Sequence, residues 1–285
     1  MSIIATCATI GALLVSAKGG ETINLKGNCA GVTISRHYAK LVTIDATGSS
    51  VRGLVITGGN VRWRGGRIAA KDGAHGFAGN GYGVHIHGGA ANVTLEGVTI
   101  TAAKKGIVID QARNLNIASV VFTGLGEDGI IASRVTGLAI SRSQFGQTIG
   151  KPTQCLVNGA VRLGLPMRDC AGQWTDGYHP DAVQMRNGVV DARISHNLVE
   201  GRMQGITQMD TTGDAPLQRV FIEHNIVRTD NFHHITLGDN CIGCAIRNNR
   251  VERAAGSAKR AIIRAGAAQR CGNFAQDERK QDDPC

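Results

Sequence analysis

The segment from Trp174 to Arg186, WTDGYHPDAVQMR, brings several groups suited to proton transfer within a few residues of one another. His179 is a side chain that can serve as base or acid near neutral pH. Asp181 can orient it or bind a cation, and Arg186 can hold an anion. The same residue types return further along, at His233–His234, at Lys105 and Asp128, and at Asp210 and Arg260. Asp176, Asp181 and Asp210 offer hard oxygen ligands of the sort calcium takes, but their spacing alone does not define a metal site.

These residues need elements that bring them together, and the chain supplies a repeat. Seven segments share one register: GVHIH from Gly83, GIVID from Gly106, GIIAS from Gly129, DAVQM from Asp181, GITQM from Gly205, HITLG from His234 and AIIRA from Ala261. Four of the seven are apolar at both positions two and four, as in a half-buried strand. The others depart at position four, with Gln184, Gln208 and Arg264, and Asp181 stands where glycine is usual. This register stacks Gln184 on Gln208, as a buried amide ladder or, with a one-residue shift, as part of a groove. Arg186 and Asp210 share position six of adjacent repeats, as a surface ion pair or as substrate contacts.

A second strand follows each first one: VRWRGGRI from Val61, VTLEGVTI from Val93, LNIASVVF from Leu115, LAISRSQF from Leu138, ARISHNLV from Ala192, VFIEHNIV from Val220 and CAIRNNRV from Cys244. Their sixth position turns to asparagine at Asn197, Asn225 and Asn249, which predicts a stacked amide ladder. Successive first strands are 23, 23, 52, 24, 29 and 27 residues apart, the period of a β-solenoid. The long step is one coil plus about 29 residues, near Gly146 to Trp174, and predicts an inserted loop beside the first strands. The pattern predicts one all-β domain over 1–285. A short helix at about Thr6–Ala17 caps its open end within residues 1–20, and 269–285 form a polar tail.

Composition narrows the partners. The formal charge of +9 favours polyanions. With 4% aromatic residues and no basic helix, a nucleic-acid stacking platform is not expected. No apolar run is long enough to span a membrane. Eight cysteines fall as local pairs, Cys7 with Cys29, Cys155 with Cys170, Cys241 with Cys244 and Cys271 with Cys285. An even count spread through loops points to disulfides and a secreted or periplasmic location. Zinc is the competing reading, but there is only one CxxC. The first residues lack the charged region of a secretory signal, as expected of a mature exported protein.

The coil pattern, asparagine column, capping helix and cysteines over residues 20–268 resemble the right-handed parallel β-helix proteins of the pectate-lyase superfamily. That resemblance implies enzymes on acidic polysaccharides, which include lyases, inverting hydrolases and uronate epimerases, or non-catalytic glycan binders such as tailspikes. In the lyases a base removes the proton α to a uronate carboxylate and the glycosidic oxygen is eliminated, while a cation, protonated acid or amide neutralises the developing charge.

On this reading the residues at the starts of the first strands form a polar edge: Tyr82, Lys104–Lys105, Glu127–Asp128, His179–Asp181, Gln204, His233–His234 and Lys259–Arg260. His179 or His234 is the expected base or acid, with His233 beside it. Asp181 orients it, and Lys105, Arg186 and Arg260 hold sugar carboxylates. The glycines Gly83, Gly106, Gly129 and Gly205 are expected to leave room for the polymer. Asp128 with Asp181 is the best carboxyl pair for a hydrolase. TDG at Thr175–Gly177 resembles part of the polygalacturonase pattern, but the paired aspartates, GHG and RIK of those enzymes are missing. HPD at His179–Asp181 matches the DPHD of alginate epimerases only in composition. Calcium is a possible cofactor, and a monomer is expected.

Overall fold

The computed structural model describes residues 2–70, 81–146, 154–157, 160–163, 171, 173–175, 180–209 and 211–285. Apolar residues at alternate positions drive short strands whose inner faces merge into one aliphatic core, with Ile23, Ile44, Ile86, Ile109, Ile194 and Ile222 completely buried. Each coil contributes one strand to each of three faces. The first two faces belong to one continuous sheet, and the third is a separate parallel sheet.

The strand Lys105–Ala118 runs across the first two faces. It turns the corner through Gln111 and Asn114, both at positive φ. Asparagine tolerates that conformation better than most residues. Here Asn114 also continues a side-chain ladder, its Nδ2 donating to Asn92 Oδ1 (3.0 Å), as Asn92 Nδ2 does to Asn60 Oδ1 (2.9 Å).

The inner ladder expected at Asn197, Asn225 and Asn249 is present and extends to Asn273. The amide oxygens of Asn225, Asn249 and Asn273 each accept from the preceding rung's backbone N–H and side-chain amide, at 2.9–3.0 Å. Each Nδ2 of Asn197, Asn225 and Asn249 also donates to a carbonyl of the preceding coil. These buried turns are thereby satisfied without water.

The end cap differs from expectation in its first residues. Ser2–Thr6 is a strand paired in parallel with Thr22–Lys26, and the helix is confined to Ile10–Ser16. Ile10 and Leu14 turn into the core. The strand was hidden in the sequence because SIIAT is as compatible with a helix start as with a sheet edge. Disulfides join Cys7 to Cys29, Cys241 to Cys244 and Cys271 to Cys285. The expected Cys155–Cys170 bridge lies outside the described residues. Within the insertion, Gln154–Val157, Ala160–Leu163 and Gln173–Thr175 form a small antiparallel sheet.

Candidate active site

Register decides which side chains meet. Tyr82 pairs with Lys105, Ile107 with Ile130, Ile130 with Val183, Asp181 with Gln204 and Ile206 with Ile235. Following these pairs gives one outward column up the first face: Tyr82, Lys105, Asp128, Asp181, Gln204, His233. Rungs are about 4.8 Å apart, so Asp128 and Asp181 are immediate neighbours although 53 residues separate them. The long insertion falls between these two rungs, leaving the stack after Gly146 and rejoining it at Pro180.

Asp128 and Asp181 are both buried, at 4% and 2% exposure. The Asp181 backbone N–H donates to Asp128 Oδ1 at 2.9 Å. Asp181 itself accepts from Thr207 Oγ1 at 2.8 Å and from Gln184 Nε2 at 2.9 Å. Burial, reinforced by the charges of Asp181 and Glu127 against the pull of that backbone N–H, raises the Asp128 carboxyl to about 7. Lys105 on the preceding rung lowers it only weakly. Asp128 therefore keeps its proton up to about pH 7.

Beside the pair, Glu127 Oε2 is buried and accepts no hydrogen bond. Two ammonium groups offset its charge, Lys105 Nζ at 3.5 Å and Lys104 Nζ at 3.9 Å. Across the same face, the rings of Tyr82, His85 and His87 follow one another at 4.7 and 4.0 Å. His85, Asp110, Ser133, Arg134 and Arg186 line a cavity of about 430 Å³ there. A cavity of about 620 Å³ opens on the second sheet, between Val121 and Leu198, and touches none of the column.

Several expectations are corrected by this register. Ala182, not Asp181, occupies the glycine position, because Asp181 pairs with Gln204 rather than Gly205. The glycines provide no groove. A Cβ on Gly106 would lie 2.8 Å from Phe122 Cδ1, and one on Gly129 would lie 2.7 Å from Phe145 Cδ1, so both point into the core. They leave room for the stacked Phe122 and Phe145 rings, 4.5 Å apart.

His234 belongs to this inward column, beside Gly205, and its ring is completely buried. Its Nε2 lies 3.2 Å from the Thr229 carbonyl, Nδ1 has no hydrogen-bond partner among the described residues, and burial lowers its pKa. A ring so enclosed cannot meet a sugar, and the role of base for His234 is withdrawn. His233 is the member of the pair on the outward column. It is half-buried, with Nδ1 3.3 Å from Thr236 Oγ1 and 3.5 Å from Arg264 Nη1.

Gln184 and Gln208 do not stack. Gln184 faces Thr207, while Gln208 is buried opposite Met185 and binds Gly238 N–H and the Asn240 carbonyl. Arg186 is exposed and borders the 430 Å³ cavity. It follows the Met185–Gln208 pair and so stands opposite Met209 rather than Asp210. Arg260 is exposed and donates to the Asp277 carbonyl of the C-terminal segment, away from the column. His179, Asp176 and Asp210 lie outside the described residues. Among the described residues no three His, Cys, Asp or Glu side chains gather as a metal centre. A cation at Asp181 would compete with the donors from Thr207 and Gln184. Thr207 was missed in the sequence because a threonine in a strand carries no functional signal of its own.

The stack can be set beside known proteins. No family model matches the sequence, and no curated protein does. Among solved structures, the Dettilon tailspike protein superposes with a TM-score of 0.57 at 13% identity, over 94% of this chain and 56% of that one. A pectate lyase from Bacillus sp. N165, solved with trigalacturonate, gives 0.50 at 10% identity, over 89% and 82%. The fold is a parallel β-helix. An alginate lyase from Paenibacillus sp. str. FPU-7 is also similar, at 0.38 and 14% identity over 96% and 99%. This β-helix thus spans just over half the length of the tailspike chain it matches. At such identities the likeness extends to the architecture and not to the residues on it.

Proposed function

We propose that this β-helix is an exported enzyme that cleaves a uronate-bearing polysaccharide by β-elimination. The observation that carries the reading is the Asp128–Asp181 pair, buried on adjacent rungs beside two lysines, with Asp128 protonated up to about pH 7. A neutral carboxylic acid can donate a hydrogen bond to a substrate carboxylate. That bond strengthens as the α C–H bond breaks and charge builds on the carboxylate oxygens, so it favours the transition state over the ground state. Lys105, one rung away, adds a positive charge at the same place.

His179, two residues before Asp181, is assigned as the base. It takes the α proton, the C–H electron pair becomes the new C=C bond, and the glycosidic oxygen leaves with its C–O pair and is reprotonated. Asp181 stays ionised and holds the local geometry through Thr207 and Gln184. The three disulfides and the net charge of +9 suit an extracellular protein acting on a polyanion.

A glycoside hydrolase is the second reading, favoured by the same carboxyl pair with one partner protonated. Inverting enzymes place their carboxyls about 6.5–9.5 Å apart, wider than the ~4.8 Å rung spacing. Incubation with pectate, alginate, gellan and glycosaminoglycans separates the readings. An unsaturated, ultraviolet-absorbing product supports the lyase, and new reducing ends without it support the hydrolase. A changed uronate configuration without shortening points to an epimerase, and binding without any product to a tailspike-like adhesin. Loss of the product in Asp128→Asn and His179→Ala is expected, and either variant retaining wild-type turnover removes that residue from the mechanism.

A further inference from the structure

Two rungs beyond Asp181 the column reaches His233, beside which Phe232 is exposed although the chain has only 6 phenylalanines. Phe232, His233, Asn231, Gln204, Asp230 and Lys259 line a cavity of about 270 Å³. That is just below the range of about 300–1,000 Å³ usual for small-molecule sites and suits one ring-sized unit. Lys259 Nζ stands 3.9 Å over the Phe232 ring and forms no ion pair among the described residues. Arg264 reaches His233 from the other side. The one carboxylate at the cavity, Asp230, is 4.0 Å from Arg202, and burial raises its pKa, so its repulsion of an anion is reduced.

An exposed aromatic ring receives the C–H face of a sugar on one side, and the ammonium standing over the ring receives a carboxylate. We infer that Phe232, Lys259 and His233 form a binding subsite for one uronate unit of an acidic glycan. Phe232 provides the stacking platform and Lys259 the carboxylate contact. The subsite rests on the acidic-glycan reading above but not on its chemistry. From Asp128 to His233 is three rungs, on the order of 14 Å along the stack. A polymer occupying both places therefore lies parallel to the β-helix axis.

Oligogalacturonates and oligomannuronates of increasing length, titrated into the full chain and followed by calorimetry, test this. The same titrations are made with Phe232→Ala, Lys259→Met and, as a control, Phe274→Ala, which removes an exposed ring on the other sheet. We expect about a tenfold or greater loss of affinity in each of the first two variants. Phe274→Ala should bind as wild type, and added salt should weaken wild-type binding. A neutral oligosaccharide of equal length should bind more weakly.

Wild-type affinity for uronates in both Phe232→Ala and Lys259→Met overturns the subsite, whether or not the protein turns over polymer. So does the absence of uronate binding by the wild type at millimolar concentration. Binding lost in those two variants, with no product from any polymer, upholds the subsite and refutes the lyase.

Discussion

Replacing Asp128 with asparagine should remove activity and at the same time stabilise the protein at alkaline pH. Folding raises this carboxyl from an ordinary 3.8 to about 7, chiefly by burial. A group whose pKa is raised on folding contributes stability that is fully present below 3.8 and is lost as pH climbs through 7. At about 1.36 kcal/mol per unit, the shift sets a ceiling of about 4 kcal/mol on the cost of ionised Asp128 above pH 7. Asparagine keeps an oxygen to accept the Asp181 N–H and carries no charge, so it escapes that cost. Thermal unfolding of wild type and Asp128→Asn should coincide near pH 4, diverge up to about pH 7 and keep a constant offset above it. At pH 9 the variant should melt higher by roughly 5–10 °C. Parallel curves from pH 4 to 9 would show that Asp128 ionises as it does in the unfolded chain. The argument for a protonated acid at the site would then fail.

Turnover by the wild type should fall as pH rises through about 7, when Asp128 loses its proton, and a flat profile from pH 5 to 9 would remove Asp128 as the acid. Substrate must reach a pair only 4% and 2% exposed, so carbodiimide labelling of Asp128 should be slow and become slower with saturating oligouronate. Protection absent at saturation would place the substrate elsewhere. His234 is buried with its pKa lowered, so its contribution to stability is present above the ordinary value of 6.5 and is lost as pH falls below it. His234→Leu should flatten the drop in denaturation midpoint between pH 7 and 5, and an unchanged slope would assign that drop to other groups. Gly129→Ala should cost about 1–3 kcal/mol, because its Cβ would meet Phe145 at 2.7 Å and the Ala182 carbonyl at 2.5 Å. Asn225→Ala should cost a similar ~1–3 kcal/mol by leaving Asn197 N–H without its acceptor. Both are read from urea midpoints.

The repeat, the asparagine ladder, three of the disulfides and the polar edge at the strand starts were legible because they depend on periodicity, and a solenoid carries its period openly in the sequence. The facing of individual side chains was not. A slip of one residue reverses a strand's faces, and the insertion before Pro180 concealed that Ala182, not Asp181, takes the glycine position. Aligning Asp181 with Gly205 brought Gln184 over Gln208, although the polar edge already set Asp181 beside Asp128 and Gln204. The glycines read as open space because a missing side chain looks the same from the sequence whether solvent or a phenylalanine ring fills it. His234 and His233 differ only by that alternation, and the core took the one the sequence favoured. Phe232 and Lys259 lie in bends of successive coils; the polar edge marked Lys259 but nothing marked Phe232, and only the folded chain brings them together.

The account depends most on Asp128 as a protonated acid at the point of cleavage. Ultraviolet absorbance during incubation with uronate polymers, recorded from pH 5 to 9 for wild type and Asp128→Asn, tests it most directly. The expected result is an unsaturated product from at least one polymer, fading above about pH 7 in the wild type and absent from the variant. Equal product from both proteins, or none from the wild type on any uronate polymer, would contradict it.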